Sequence, residues 1–343
     1  MSRRPLSRAL GPICAIFVCA LTAVGWAEPL ELIITNARGY PQIDIARTER
    51  SCAQFGLNDQ TRQRIIDAAA VEWSFFRFPR YVLTKAKTNV IPPGLSPDAK
   101  RTRRAAAYVA RLSPIGFMED DPEVRARIGT YWTSVEFRDV FESQNRIWQL
   151  SGGQAGWVQH WSAAFISYVM CNAGLVDSEF VRSAAHRTYI RAALEHRDGL
   201  RPGYAYTAYD LDEATPTPGD LICAADEDDQ FTIDRLADFR TTPAHLSYHC
   251  DIVVGFDVTN TRKAGLAYAI GGNVINAVSL TETPMANGRL VKVRVPRGRN
   301  WFAILKLDRG AGKADFRRVP REVVDRAEGI GKTWSAAADG GRT

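Results

Sequence analysis

The sequence lacks most of the short signatures that assign a function at sight. It has no Cys-x-x-Cys pair, so its cysteines do not read as a zinc site. It has no His-Glu-x-x-His run, so no metalloprotease helix is expected. No glycine-rich phosphate loop and no internal repeat occur. After residue 27 no apolar run is long enough to span a bilayer. The strands and helices do not alternate as in a nucleotide-binding βαβ repeat. No cofactor and no metal are therefore expected. His186, His249 and Asp251 could in principle make a metal site with an open position, but nothing in their spacing demands one.

Charge excludes little more. The net charge is +6, and Arg3, Arg4 and Arg8 contribute half of it. These arginines precede an apolar run from Leu10 to Val24 and the small-residue site Gly25-Trp26-Ala27. Residues 1–27 thus read as a secretory signal peptide, which predicts a periplasmic or secreted protein. The remaining excess of about three positive charges requires no nucleic-acid partner. Cys52, Cys171, Cys223 and Cys250 lie beyond the signal, and four cysteines in an exported chain allow three full pairings.

The periodicity predicts helices first and strands afterwards. Ile65, Ile66, Ala69, Trp73 and Phe76 form a helical stripe ended by Phe78-Pro79. Residues 97–112, with Lys100, Arg101, Arg103, Arg104 and Arg111, read as a helix with a basic solvated face, or one that touches an anionic polymer or membrane. Asp121-Pro122 is a cap followed by proline at the first helical position. A helix over 162–173 follows, closed by Gly174, and a second starts near Asp177-Ser178. Strands are expected at 221–223, 249–256, 267–270, 276–281, 289–295 and 301–307, with a short helix at 320–328 in a C-terminal tail. The pattern is α+β, with an antiparallel meander.

Several motifs carry a resemblance. They are Trp161-Ser162-Ala163-Ala164-Phe165-Ile166-Ser167, Phe180-x-x-Ser183-x-x-His186-x-x-Tyr189-Ile190, Gly219-Asp220-Leu221, His249-Cys250-Asp251-Ile252-Val253 and Gly272-Asn273-Val274. Together they resemble the family called domain of unknown function 2272, across about residues 120–307. That family distantly resembles the papain-like NlpC and CHAP amidases and peptidases, whose helix begins Trp-Cys-Ala. The resemblance implies a papain-like α+β fold with a site facing the cell wall, and the periodicity places a helical N-terminal region before it. Composition, periodicity and resemblance together divide the chain into a signal peptide, 1–27, a helical region, 28–119, the family domain, 120–309, and a tail, 310–343.

The resemblance also implies site residues. Ser162 occupies the position of the attacking cysteine. At a helix N-terminus the free N–H groups and the dipole stabilise a developing oxyanion. A serine there gains little acidity and needs a base within reach. It is equally well suited to be only the helix N-cap. His249 is the candidate base, with Asn273 or Asp251 as its orienting partner. Asn273 also reads as a left-handed turn residue, and Asp220 as a turn residue bonded to local backbone. His186 is a second candidate histidine that compensates for serine, or a core histidine. Two function classes follow: an exported hydrolase acting on an amide bond of peptidoglycan peptides, or an inactive module that binds a cell-wall peptide or partner protein. Cys223 and Cys250 fall on strands that are neighbours in NlpC-like proteins. They are expected as buried free thiols, with a bridge as the alternative.

Overall fold

The structure is a computed structural model that describes residues 32–49, 52–85, 108–112, 115–226, 232–243, 245–257, 264–292, 299–321 and 323–325. The expected signal peptide, residues 1–27, lies outside them, as does most of the expected basic helix. Its end, Tyr108–Leu112, is a strand and not a helix.

Short strands β1 (Ile33–Thr35) and β2 (Pro41–Ile43) form a hairpin. Helix α1 (Thr61–Phe75) carries the expected stripe and stops where Arg77 and Phe78 turn left-handed. Strands β3 (Arg80–Lys85) and β4 (Tyr108–Leu112) follow as an antiparallel pair. The region before residue 120 is therefore mixed and not simply helical. Tyr108-Val109-Ala110-Arg111-Leu112 has the period of a strand, and pairing with β3 outweighs the helical composition upstream.

Helices α2 (Pro122–Trp132) and α3 (Asp139–Leu150) lead to α4 (Ser162–Asn172) and α5 (His186–Arg197). The fifth helix begins at His186, not near Asp177, so Ser183 precedes it. Strands β5 (Tyr206–Asp210) and β6 (Leu221–Asp226), helix α6 (Leu236–Thr241), and strands β7 (Tyr248–Asp257), β8 (Ala264–Gly271), β9 (Ser279–Ala286), β10 (Arg289–Leu290) and β11 (Arg299–Leu307) complete the order.

Among the described residues nine strands make one sheet in the order β4-β3-β9-β8-β7-β6-β11-β5, with β10 beside β9. Every pairing in it is antiparallel except β3 with β9. The chain is thus α+β, and its N-terminal part supplies two strands to the sheet. Alternation splits the sheet residues into two sets. Cys223, Ile252, Val254 and Ile270 join the large core that includes the helices, whereas Ile222, Ala224, Val253 and Ala269 join a second apolar cluster. The sheet therefore buries both faces. Ala311, Phe316, Val319 and Val323 continue the large core beyond β11. Among the described residues no helix is long and apolar enough to cross a membrane.

Buried charges fix the layers. Asp220 is fully buried and accepts from Arg62 of α1, from Lys306 of β11 and from the backbone N–H groups of Thr217 and Leu307. It is the expected turn residue and also the joint between helix and sheet. Glu72 of α1 accepts from Arg127 and from Tyr131 of α2 in the same way.

Two disulfides staple the fold. Cys223 and Cys250 are bridged rather than free, because the β6–β7 register sets them directly opposite with Cα atoms 4.1 Å apart. Cys52–Cys171 ties the N-terminal segment to the last turn of α4 across 119 residues. Replacing Cys52 and Cys171 together by alanine should lower the unfolding free energy by about 2–5 kcal/mol. This would be read from the shift in denaturant midpoint. An unchanged midpoint would mean that packing alone holds the end of α4.

Candidate active site

Helix α4 starts in an aromatic cage. The ring of Trp161, wholly buried, lies 5.8 Å from Phe76 and 5.6 Å from Tyr131, and its indole N–H donates to Glu119. Trp161 is the N-cap of α4, and no side chain caps that end. Ser162 is the first residue inside the helix. Its hydroxyl is hydrogen-bonded to His186 Nε2 at 2.7 Å, so it does not serve as the cap.

Two ties bring His186 to that place. Ser167, one turn and a half further along α4, exchanges two hydrogen bonds with the backbone of Ser183: its hydroxyl accepts from the Ser183 N–H and donates to the Ser183 carbonyl. Ser183 thereby anchors the approach to α5. Arg187 then donates to the carbonyls of Thr242 and Pro243 and to the hydroxyl of Tyr248, which directly precedes His249. The result sets the His186 and His249 rings 5.1 Å apart. Ser162, His186 and His249 are 9%, 5% and 8% exposed, so the cluster touches solvent only at its edge.

His249 Nε2 is 2.6 Å from Asp251 Oδ1. Asp251 Oδ2 accepts from the Thr281 hydroxyl at 2.7 Å and from Arg299 at 3.1 Å. Arg299 in turn lies over the ring of Tyr81 on β3, 5.3 Å from its centroid. Burial alone would raise the Asp251 carboxyl, but Arg299, His249 and Thr281 together hold it below its ordinary value. An ionised carboxylate only accepts hydrogen bonds. His249 Nε2 must therefore carry the proton, and in the neutral ring Nδ1 is left as the basic nitrogen.

His186 is held neutral. Burial lowers its pKa well below 6.5, with His249 and Arg299 adding to the effect. It is also the first residue of α5, where the positive end of the helix opposes an imidazolium. Its Nδ1 is hydrogen-bonded to the Tyr189 hydroxyl one turn along the helix.

The structure thus gathers Ser162, His186, His249 and Asp251. Asn273 adopts a left-handed φ of 54° in the turn after β8, the geometry of its turn reading, and Asp251 takes the orienting position on His249. Gly271 and Gly272 are required here. A Cβ on Gly271 would lie 1.7 Å from Asp251 Oδ1, and one on Gly272 would lie 2.5 Å from Phe165 Cβ. Among the described residues no group of three His, Cys, Asp or Glu side chains is arranged to hold a metal. Sequence reasoning missed Tyr81, Thr281 and Arg299, which sit on separate strands with no motif around them. Tyr189 had a signal, its three-residue spacing from His186.

Residues 119–307 match the family described as an uncharacterized protein conserved in bacteria, DUF2272. The chain belongs to the DUF2272 family. No curated protein and no solved structure matches it. Within this DUF2272 protein the matched region holds Ser162, His186, His249, Asp251 and Arg299, while Tyr81 lies outside it.

Gly271→Ala should push the Asp251 carboxylate off His249 and destabilise the fold by about 1–3 kcal/mol in chemical denaturation. A fold as stable as the wild type would mean that the site tolerates the methyl group. The neutral His186 predicts a pH effect of definite sign. Below the unfolded value near 6.5 the unfolded chain gains a proton that the folded chain refuses. The stability contributed is complete above that pH and falls as pH drops through it, by up to ~1.4 kcal/mol per unit. Asp67, pushed by burial from 3.8 to about 6, acts in the opposite direction over that acid range. The contribution of Asp67 cancels when wild type is compared with His186→Gln. The wild-type advantage should shrink from pH 7 to pH 5, and a pH-independent difference would show that His186 titrates normally.

Proposed function

We propose that this chain is an exported serine hydrolase with a papain-like arrangement, acting on an amide bond of peptidoglycan peptides. The observation that carries the reading is the Ser162 hydroxyl, at the uncapped start of α4, bonded into a histidine cluster whose other ring is oriented by a buried aspartate. Ser162 attacks the carbonyl carbon. Its proton passes to His249 Nδ1, the nitrogen that Asp251 leaves basic. The oxyanion meets the backbone N–H groups at the start of α4, which have no partners within a helix. The imidazolium of His249 then gives its proton to the leaving amine, and water releases the acyl group by the reverse path.

The papain-like assignment is supported by a helix that starts at the nucleophile position and packs on the strand carrying His249. Export is supported by the basic-then-apolar start of the sequence and by two disulfides, which persist in oxidising compartments. The cell-wall peptide as substrate rests on the resemblance to NlpC and CHAP enzymes.

A fluorophosphonate probe should label the mature protein at Ser162, mapped by mass spectrometry. Ser162→Ala should abolish both labelling and the release of fragments from purified peptidoglycan. Equal fragment release by wild type and Ser162→Ala would remove serine as the nucleophile. A second reading, an inactive module holding a cell-wall peptide, is favoured by the slight exposure of Ser162. It expects retention on peptidoglycan without label or product, and no reactive thiol in Ser162→Cys.

A further inference from the structure

Ser162 has two histidines beside it, and the role of His186 depends on which ring nitrogen holds its proton. Nε2 faces Ser162 Oγ and Nδ1 faces the Tyr189 hydroxyl. Tyr189 is wholly buried, packed against Phe180 with ring centroids 5.3 Å apart. Among the described residues, His186 Nδ1 is the hydrogen-bond partner of its hydroxyl. Burial, with Tyr204 and Asp251 nearby, raises the phenol well above its ordinary pKa, so it keeps its proton.

Two chains of hydrogen bonds are then possible. In one, Ser162 donates to Nε2 and Nδ1–H donates to Tyr189, which leaves the phenolic proton buried without an acceptor. That arrangement is disfavoured roughly 10- to 100-fold in population. In the other, Tyr189 donates to Nδ1 and Nε2–H donates to Ser162 Oγ. The Tyr189 phenol and both ring nitrogens of His186 are then paired. The Ser162 proton, on the residue with some solvent exposure, is left to point elsewhere in the site.

We propose that Tyr189 locks His186 in its Nε2–H form, so that His186 anchors the nucleophilic oxygen by donating to it and does not deprotonate it. Tyr189 is a positioning residue in this scheme and His186 a catalytic donor. This inference deepens the hydrolase reading and rests on it for its kinetic consequence. In the attack the Ser162 O–H bond breaks, an N–H bond forms on His249, the Oγ–C bond forms and the carbonyl π pair moves to oxygen. His186 keeps its proton throughout. The lock also separates two jobs that one histidine combines in a simple Ser-His pair.

Long-range proton–nitrogen spectra of the full chain test the lock directly. The His186 ring, assigned by its loss in His186→Gln, should show a protonated Nε2 and an unprotonated Nδ1 at pH 7. In Tyr189→Phe that preference should collapse toward a mixture of tautomers. Turnover of peptidoglycan tests the role. His186→Leu should lose ~100-fold, mostly in kcat, because the attacking oxygen is no longer held in place. His186→Gln, whose amide still donates but cannot take up a proton, should recover to within about tenfold of wild type. His249→Gln should stay down by ~100-fold or more. A protonated Nδ1 in the wild type overturns the proposal. So does a folded His186→Gln as inactive as His186→Leu, which would make His186 the base. If the wild type neither reacts with fluorophosphonate nor releases fragments, the hydrolase reading fails by itself. The nitrogen spectra still decide the lock.

Discussion

Asp251 is a carboxylate with no exposure to solvent, and a buried charge is tolerated only when it is paired and hydrogen-bonded. That requirement draws together parts of the chain that are far apart in sequence. Thr281 comes from β9, Arg299 from the start of β11, and His249 from the same strand as Asp251. Gly271 must be glycine because the carboxylate occupies the place of its Cβ. Losing Arg299 would leave the charge uncompensated, and losing Thr281 or His249 would leave it short of a hydrogen bond, so the stability of the sheet and the orientation of His249 are linked. Arg299 extends the network to Tyr81, on a strand that precedes the family region. The N-terminal part of the chain is therefore bound to the site through β3.

A second buried aspartate shows how context separates structure from chemistry. Among the described residues Asp220 has Arg62, Lys306, Thr217 and Leu307 as partners, and Asp251 has His249, Thr281 and Arg299. Asp220 faces no histidine among those partners, and its bonds run between α1, a turn and β11. Both aspartates belong to short motifs in the sequence, and both are buried. Asp220 closes a joint. Asp251 also closes a joint, but through a ring that carries a titratable nitrogen.

The sequence displayed helices α1, α2 and α4 and the strands from β6 onward, because period 3.6 and period 2 are written in the residues that face a core. It displayed Ser162, His186, His249 and Asp251 as motif members. It did not display which histidine meets Ser162. That depends on where α5 begins, and Ser183 looked like a helical residue when it is an anchor for Ser167. The Cys223–Cys250 bridge was equally hidden, since a slip of one residue in register would have sent the two side chains to opposite faces. The strand at Tyr108–Leu112 was masked by the arginine-rich stretch before it. Thr281 and Arg299 carry no local signal at all. Their contribution exists only after β8, β9 and β11 have been assembled around Asp251.

The serine itself can be understood through this assembly. A cysteine at a helix N-terminus is activated by the dipole alone, because its thiol is acidic enough to ionise near neutral pH. A hydroxyl is not, and needs its proton taken by an adjacent base. On the proposed reading, taking the proton and holding the oxygen of Ser162 fall on two different rings. Asp251, acceptor-only, makes His249 Nδ1 basic. Tyr189, a phenol that keeps its proton, makes His186 Nε2 a donor on the proposed reading. The opposite characters of the two histidines follow from their partners, a carboxylate on one and a hydroxyl on the other. A single histidine between Ser162 and Asp251 would carry both jobs, as in a simple Ser-His pair. On the proposed reading the second ring, supplied by the start of α5, separates the two jobs without adding charge, since burial and the helix end keep it neutral.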